Sequence, residues 1–305
     1  MYIKSFDELS KSDSDMAGGK GASLGEMTKA GLPVPPGFVI LATAFDEFLE
    51  ASGLNSKITA ILKNFSQENA SHKIRGLIEE AKITKDLEAE VLNEFNQLKA
   101  KFVAVRSSAT LEDNKTASWA GELETFLNVT KHDLTKSILK CWSSLFTPRA
   151  IFYRYEKKLN KRKISVAIVV QKMVQSKISG VCFTVHPVAK DKNLMVIEAG
   201  FGLGESVVSG LITPDTYIVK KNNLTITNIA VSVQKLAIIL DARHNLSKKL
   251  DPKTGGKQKL PKRQIIELAK ICKNIEKHYK SPQDIEWAYQ GGKFYITQAR
   301  PITTL

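Results

Sequence analysis

Gly18-Gly19-Lys20-Gly21, followed by Ala22-Ser23-Leu24-Gly25, sets one ammonium among glycines at the start of a helical pattern. Free backbone amides at a helix start attract an anion, glycine lets a ligand approach the backbone, and Lys20 adds a point charge. The stretch therefore suits a phosphate group; the alternative is a plain glycine-rich turn. It is not a P-loop, because the spacing GxxxxGK[ST] occurs nowhere in the chain. Arg106 stands where the apolar run Phe102-Val103-Ala104-Val105 stops. A guanidinium at the end of a buried strand pairs bidentately with phosphate oxygens, or else with a nearby carboxylate such as Glu112. Residues 107 to 121, rich in hydroxyls and small side chains, have the composition of a loop that covers such a site.

Two further constellations lie toward the C-terminus. Val169-Val170-Gln171-Lys172-Met173-Val174 carries one amide in a hydrophobic strand. Adenine needs apolar walls and a few hydrogen-bonding groups at its edge, which Gln171 and adjacent backbone supply if the amide points inward; pointing outward, it meets solvent. Glu286 and Gln298 are equally far from Gly292, so a turn centred there makes them cross-strand partners on one face, with Arg300 two residues beyond. A carboxylate beside an amide oxygen suits Mg²⁺, which takes a few protein oxygens and completes its octahedron with water and phosphate oxygens. The alternative is a solvent-facing polar pair, against which Trp287, Tyr295 and Ile296 imply a sheet covered on both faces.

These residues need a scaffold, and the hydrophobic pattern outlines one. Residues 43 to 100 predict helices, with Thr43 and Asp46 as a capping box and Leu87, Val91, Leu92, Phe95 and Leu98 on one helical face. Helices follow at about 131 to 146 and 149 to 159, joined at Thr147-Pro148. From Ile164 the pattern changes to short apolar runs, at 164 to 173, 178 to 184, 194 to 199 and 215 to 220. A helix after Pro261 turns Ile265, Leu268, Ala269, Cys272, Ile275 and Tyr279 inward, and the chain ends in a hairpin around Gly291-Gly292. The expected architecture is α/β (α+β), in two lobes that meet near residue 165: 1–165, with Lys20, Arg106 and the covering loop, and 166–305, with Gln171, Glu286 and Gln298.

Composition narrows the class of function. A chain of 305 residues, 43% of them hydrophobic, can bury a substantial core. It contains no apolar run long enough to cross a bilayer and no signal-peptide pattern at its start, so a cytoplasmic protein without a membrane partner is expected. Cys141, Cys182 and Cys272 lack metal-ligand or CxxC spacing and read as buried thiols. The formal net charge of +14 raises nucleic-acid binding, but the lysines are poorly clustered and lack interleaved aromatics, so no nucleic-acid partner is expected.

Five blocks in order carry a resemblance: GGKGASLGEMTKAGLPVPPGFVI, AVRSSATLED with ASWAGELETFLNV, VVQKMV with SGVCFT, GFGLGESVVSGLITPDTY, and DIEWAYQGGKFYITQARPITTL. From about residue 14 to 305 the chain resembles the N-terminal ATP-binding domain of the phosphoenolpyruvate synthase, rifampin phosphotransferase and pyruvate phosphate dikinase family. That resemblance implies an ATP-grasp fold, in which two α/β lobes enclose a nucleotide cleft, with ATP and Mg²⁺ as cofactors. It implies phosphate contacts from Lys20, Arg106 and Arg300, the positions expected to be catalytic. It places Gly121 and Thr125 close to the phosphates, Gln171 near the adenine, and Glu286 and Gln298 on the metal. For the GFGLGE turn at 200 to 205, phosphate approach and tight packing both remain open.

Members of this family pass phosphate from ATP to a histidine on a separate domain, releasing AMP, and a third domain binds the final acceptor. None of His72, His132, His186, His244 and His278 lies in the setting of that carrier histidine. The resemblance thus implies an ATP-dependent phosphotransferase of dikinase type that requires a phosphohistidine domain, in the same longer protein or in another chain. The alternatives are the ATP-binding part of an antibiotic phosphotransferase and a stand-alone nucleotide-binding regulatory protein.

Overall fold

The computed structural model describes residues 1–110, 123–157, 164–241 and 244–303. These form two compact units, Met1–Lys29 with Pro36–Met173, and Ala30–Pro35 with Val174–Leu305.

The first unit runs β1 (Ile3–Ser5), α1 (Ser14–Lys29), β2 (Gly37–Ile40), α2 (Ala42–Ala51), α3 (Leu54–Asn64), α4 (Gln67–Glu80), α5 (Lys85–Gln97), β3 (Val103–Ala109), β4 (Thr125–Val129), α6 (Leu134–Ser143), α7 (Pro148–Glu156) and β5 (Val166–Lys172). Its five strands pair in the order β1-β2-β5-β3-β4, each antiparallel to its neighbours. One face of the sheet presents Phe38, Ile40, Val103, Val105, Ile168 and Val170 to the helical core. Trp142 of α6 anchors that core, stacking on Phe48 at 4.9 Å and tilting against Phe45 at 5.6 Å. Alternation of side chains along each strand sends Val39, Ala104, Arg106, Val169 and Gln171 to the opposite face, where α1 packs on β3 and β5.

The second unit contains β6 (Ile178–Phe183), β7 (Leu194–Phe201), α8 (Glu205–Val208), β8 (Asp215–Lys220), β9 (Ile226–Ala230), β10 (Leu236–Asp241), β11 (His244–Lys249), α9 (Pro252–Gly255), α10 (Lys262–Tyr279), β12 (Gln283–Gln290) and β13 (Lys293–Pro301). Six strands form an antiparallel sheet in the order β13-β12-β6-β7-β8-β9, while β10 and β11 make a separate hairpin. As its spacing predicts, α10 buries Ile265, Leu268, Ala269, Cys272 and Ile275.

Three local expectations change. Residues 43 to 100 do form helices, but α2 starts at Ala42 with Leu41 as its N-cap, so Thr43 lies inside the helix and makes no capping box. Asp46 accepts a bond from Ser165 Oγ at 2.7 Å instead. Beside the expected strand β3, the helical first half also holds three short strands, β1, β2 and β4, whose three to five residues carry too little period to announce themselves. Finally, the units divide after Met173 and not near 165, because β5 is hydrogen-bonded on both sides, to β2 and to β3, and so carries Gln171 into the first unit. Among the described residues no helix is long and apolar enough to cross a membrane.

Candidate functional site

In the first unit the glycine-rich stretch is a break within α1. Gly18 adopts φ 67° and ψ 170°, and a Cβ there would overlap the backbone of Ser108, so neither the conformation nor the space admits another residue. Ser108 holds both sides of the break. Its Oγ donates to the carbonyl of Ala17 at 3.0 Å and accepts from the amide of Gly21 at 3.3 Å. The helix therefore restarts at Gly19-Lys20 against β3, two residues from Arg106 on the same face of that strand.

Strand register completes this cluster. Arg106 lies opposite Thr125 of β4 on one side and Val169 of β5 on the other, and Gln171 lies opposite Ala104. Cross-strand partners share a face, so Arg106, Thr125 and Gln171 stand on the sheet surface against which α1 carries Lys20. Arg106 is 8% exposed and Gln171 3%, so the amide points inward, not to solvent. Ser107 to Ala109 continue β3 as buried strand residues, so Arg106 lies within the strand and not at its end; Gly121, Glu112 and the rest of the expected covering loop from 111 on lie outside the described residues.

A second layer beneath β3 was not legible in the sequence. Ser107 donates to the carbonyl of Glu124 from its amide at 3.2 Å and from its hydroxyl at 3.0 Å. Cys141 and Ser144 surround that hydroxyl, and Arg75 of α4 pairs with the Glu124 carboxylate at 2.8 Å. The chain just before Thr125 is thereby tied to α4, α6 and β3. Burial pushes the Cys141 thiol up to about 12, so it stays protonated and acts as a packed hydrogen-bonding group, not a nucleophile.

In the second unit Glu286 faces Gln298 across the final hairpin, by a route different from the expected turn centre. The turn has two residues, Gly291 and Gly292, both at positive φ, with Gln290 opposite Lys293. A regular ladder from that turn would set Glu286 against Thr297. A bulge intervenes: Trp287 pairs with Ile296 but Glu286 with Gln298, leaving Thr297 as the extra residue. That residue restores Gln298 and Arg300 to the face of Glu286. Without it both would turn to the face of Ile285.

The same face continues across the sheet. Asp284 lies opposite Arg300 and accepts from its Nε at 2.9 Å and its Nη2 at 2.7 Å, while Glu286 neighbours Val181 of β6, which neighbours Glu198 of β7. The adjacent row, Ile285, Cys182 and Ile197, points to the other face, where Cys182 meets Cys272 of α10. The Glu198 side chain makes no hydrogen bond or ion pair among the described residues. Its pKa is raised, first by burial and then by the charge of Asp284. Neither Asp284 nor Glu198 has a motif that singles it out; only register reveals them.

Among the described residues no group of three or more His, Cys, Asp or Glu could hold a metal ion. A carboxylate beside an amide oxygen at Glu286 and Gln298 fits Mg²⁺, which takes a few protein oxygens and completes its octahedron with water and substrate oxygens. The GFGLGE turn is resolved toward packing at Gly202, which sits at φ 90° where a Cβ would overlap the carbonyl of Ile238. Ser176 and Ser179 donate to its carbonyl at 3.0 and 2.6 Å, and Gln234 brackets Phe201 through both amide and carbonyl.

Known proteins resemble this chain over its whole length. A probable phosphoenolpyruvate synthase of Methanocaldococcus jannaschii is 48% identical over 100% of this chain and 27% of its own length. The phosphoenolpyruvate synthase of Pyrococcus furiosus is 40% identical over 100% of this chain and 44% of its own. A rifampicin phosphotransferase of Bacillus cereus is 36% identical over 100% of this chain and 36% of its own. The chain thus spans between about a quarter and a half of the length of the curated relatives it matches. Residues 14–305 match the family described as pyruvate phosphate dikinase, AMP/ATP-binding domain, and the chain belongs to that family.

Proposed function

We propose that this chain binds MgATP and positions it for phosphoryl transfer to a carrier histidine on a separate domain, with release of AMP, as the ATP-binding part of a phosphoenolpyruvate-synthase-like phosphotransferase. The observation that carries this reading is the convergence of α1, Arg106, Thr125 and the buried Gln171 on one sheet face. Lys20 and Arg106 take phosphate oxygens, Gly121 and Thr125 stand beside them, and Gln171 reads the adenine edge. Arg300, aimed by Asp284, adds a further phosphate contact. Glu286 and Gln298 hold Mg²⁺, which when bound neutralises charge on the phosphate oxygens.

Positioning and charge neutralisation account for most of the catalysis in phosphoryl transfer, so a domain that only prepares ATP performs a large share of the reaction while lacking a nucleophile. Identities of 48% and 40% to phosphoenolpyruvate synthases, against 36% to a rifampicin phosphotransferase, support the phosphoenolpyruvate-synthase-like reading over the antibiotic one. Titration calorimetry of the folded chain with ATP and MgCl₂ tests the proposal. Saturable binding at micromolar to millimolar concentration is expected, and its absence at millimolar MgATP would overturn the reading.

A further inference from the structure

A cavity of the first unit is lined by none of these residues. It encloses about 460 Å³ between α2, α3 and α7, on the helical side of the sheet and so away from the face that carries Arg106. Its inner wall is made by Phe45, Leu49, Ile58 and Phe146, all members of the main hydrophobic core. Toward the rim stand Lys63 and Arg154, while the carboxylate that lines it, Asp46, is engaged by the Ser165 hydroxyl at 2.7 Å.

Arg154 is the unusual member. It is partly buried on α7, no carboxylate pairs with it among the described residues, and burial pulls its pKa below the ordinary value. A guanidinium drawn from water without an anion is unfavourable, and its planar fork matches an oxyanion. Beside it lies an apolar volume within the range of roughly 300–1,000 Å³ usual for small-ligand sites. We propose that this cavity binds a small molecule with an oxyanion head and an apolar body, the head held by Arg154 with Lys63 nearby and the body against Phe45, Leu49 and Phe146. A carboxylate and a phosphomonoester share that chemistry.

The test uses the whole chain and three probes with one apolar body: octanoate, octyl phosphate and 1-octanol, titrated calorimetrically in the presence of saturating MgATP. At least one octyl anion is expected to bind about tenfold or more tightly than the alcohol, the advantage of a charge-assisted pair; whichever anion binds better identifies the head. Arg154→Gln should remove that advantage and leave the alcohol unchanged. Thr59→Trp, at an exposed position of α3 that lines the cavity, should weaken anion and alcohol together, and it tests the location without touching the core. The proposal fails if folded protein binds neither anion at millimolar concentration. It fails equally if alcohol and anions bind alike, or if Arg154→Gln keeps the preference. MgATP binding is measured in its own titration, so these outcomes are distinct from a failure of ATP binding.

Discussion

At the scale of single residues, charge and burial set the expectations. Arg106 is almost fully buried on the face that α1 shares, so a charged partner there is worth more than on an open surface. Arg106→Ala and Lys20→Ala should each weaken MgATP binding by roughly 1 to 3 kcal/mol, as expected for hydrogen bonds to charged groups, with calorimetry as the check. Glu198 gives a second prediction, about stability. Its folded pKa lies above the ordinary 4.5, so the folded state holds its proton more tightly than the unfolded chain. Stability is then greater at acidic pH and is lost as pH rises through the raised pKa, because the ionised carboxylate is desolvated beside Asp284. Glu198→Gln should accordingly raise the chemical denaturation midpoint at pH 7 relative to the parent protein, and the gain should vanish below the ordinary carboxylate range. An equal gain at both pH values would show that ionisation is not the cause.

Secondary-structure elements decide which of these residues meet. The break in α1 exists because Gly18 alone tolerates both its φ of 67° and the approach of Ser108. Gly18→Ala should destabilise the chain by roughly 1 to 3 kcal/mol, the cost of a strained left-handed residue, measurable by urea denaturation. It should also weaken MgATP binding, since Lys20 follows the break. In the other unit one extra residue, Thr297, does the equivalent work by returning Gln298 to the face of Glu286. If that pair holds the metal, Glu286→Ala should bind ATP with the same affinity in Mg²⁺ as in EDTA, whereas the parent protein should bind more tightly in Mg²⁺. Retention of the Mg²⁺ effect in the variant would remove Glu286 from the metal site.

For the whole molecule, the dominant long-range property is the net charge of +14. A field of that sign draws polyanions in general, ATP included, yet it specifies none of them. Binding of a random DNA duplex should be measurable at low salt and lost by physiological ionic strength, as for contacts made by dispersed lysines. If MgATP binding depends on the buried Arg106, as proposed, it should persist. Fluorescence anisotropy across a salt series separates the two. DNA affinity that survived physiological salt would contradict the exclusion of a nucleic-acid partner.

What the sequence determined by itself was local or ordered along the chain. The inward row of α10 follows from its period, α7 begins at the expected Thr147-Pro148 junction, and Gly291-Gly292 forms the expected tight turn. The five motif blocks, read in order, identified the family, because each is a continuous stretch. Only the tertiary structure decided the rest. Gln171 joins the sheet of Arg106, Ser108 clamps the glycine break, Asp284 pairs with Arg300, and Glu198 stands two strands from Glu286. Each of these depends on hydrogen-bond register between segments remote in sequence, or on one extra residue in a strand. Side chains alternate faces with a period of two, so a single-residue shift that local composition does not encode determines which groups share a surface.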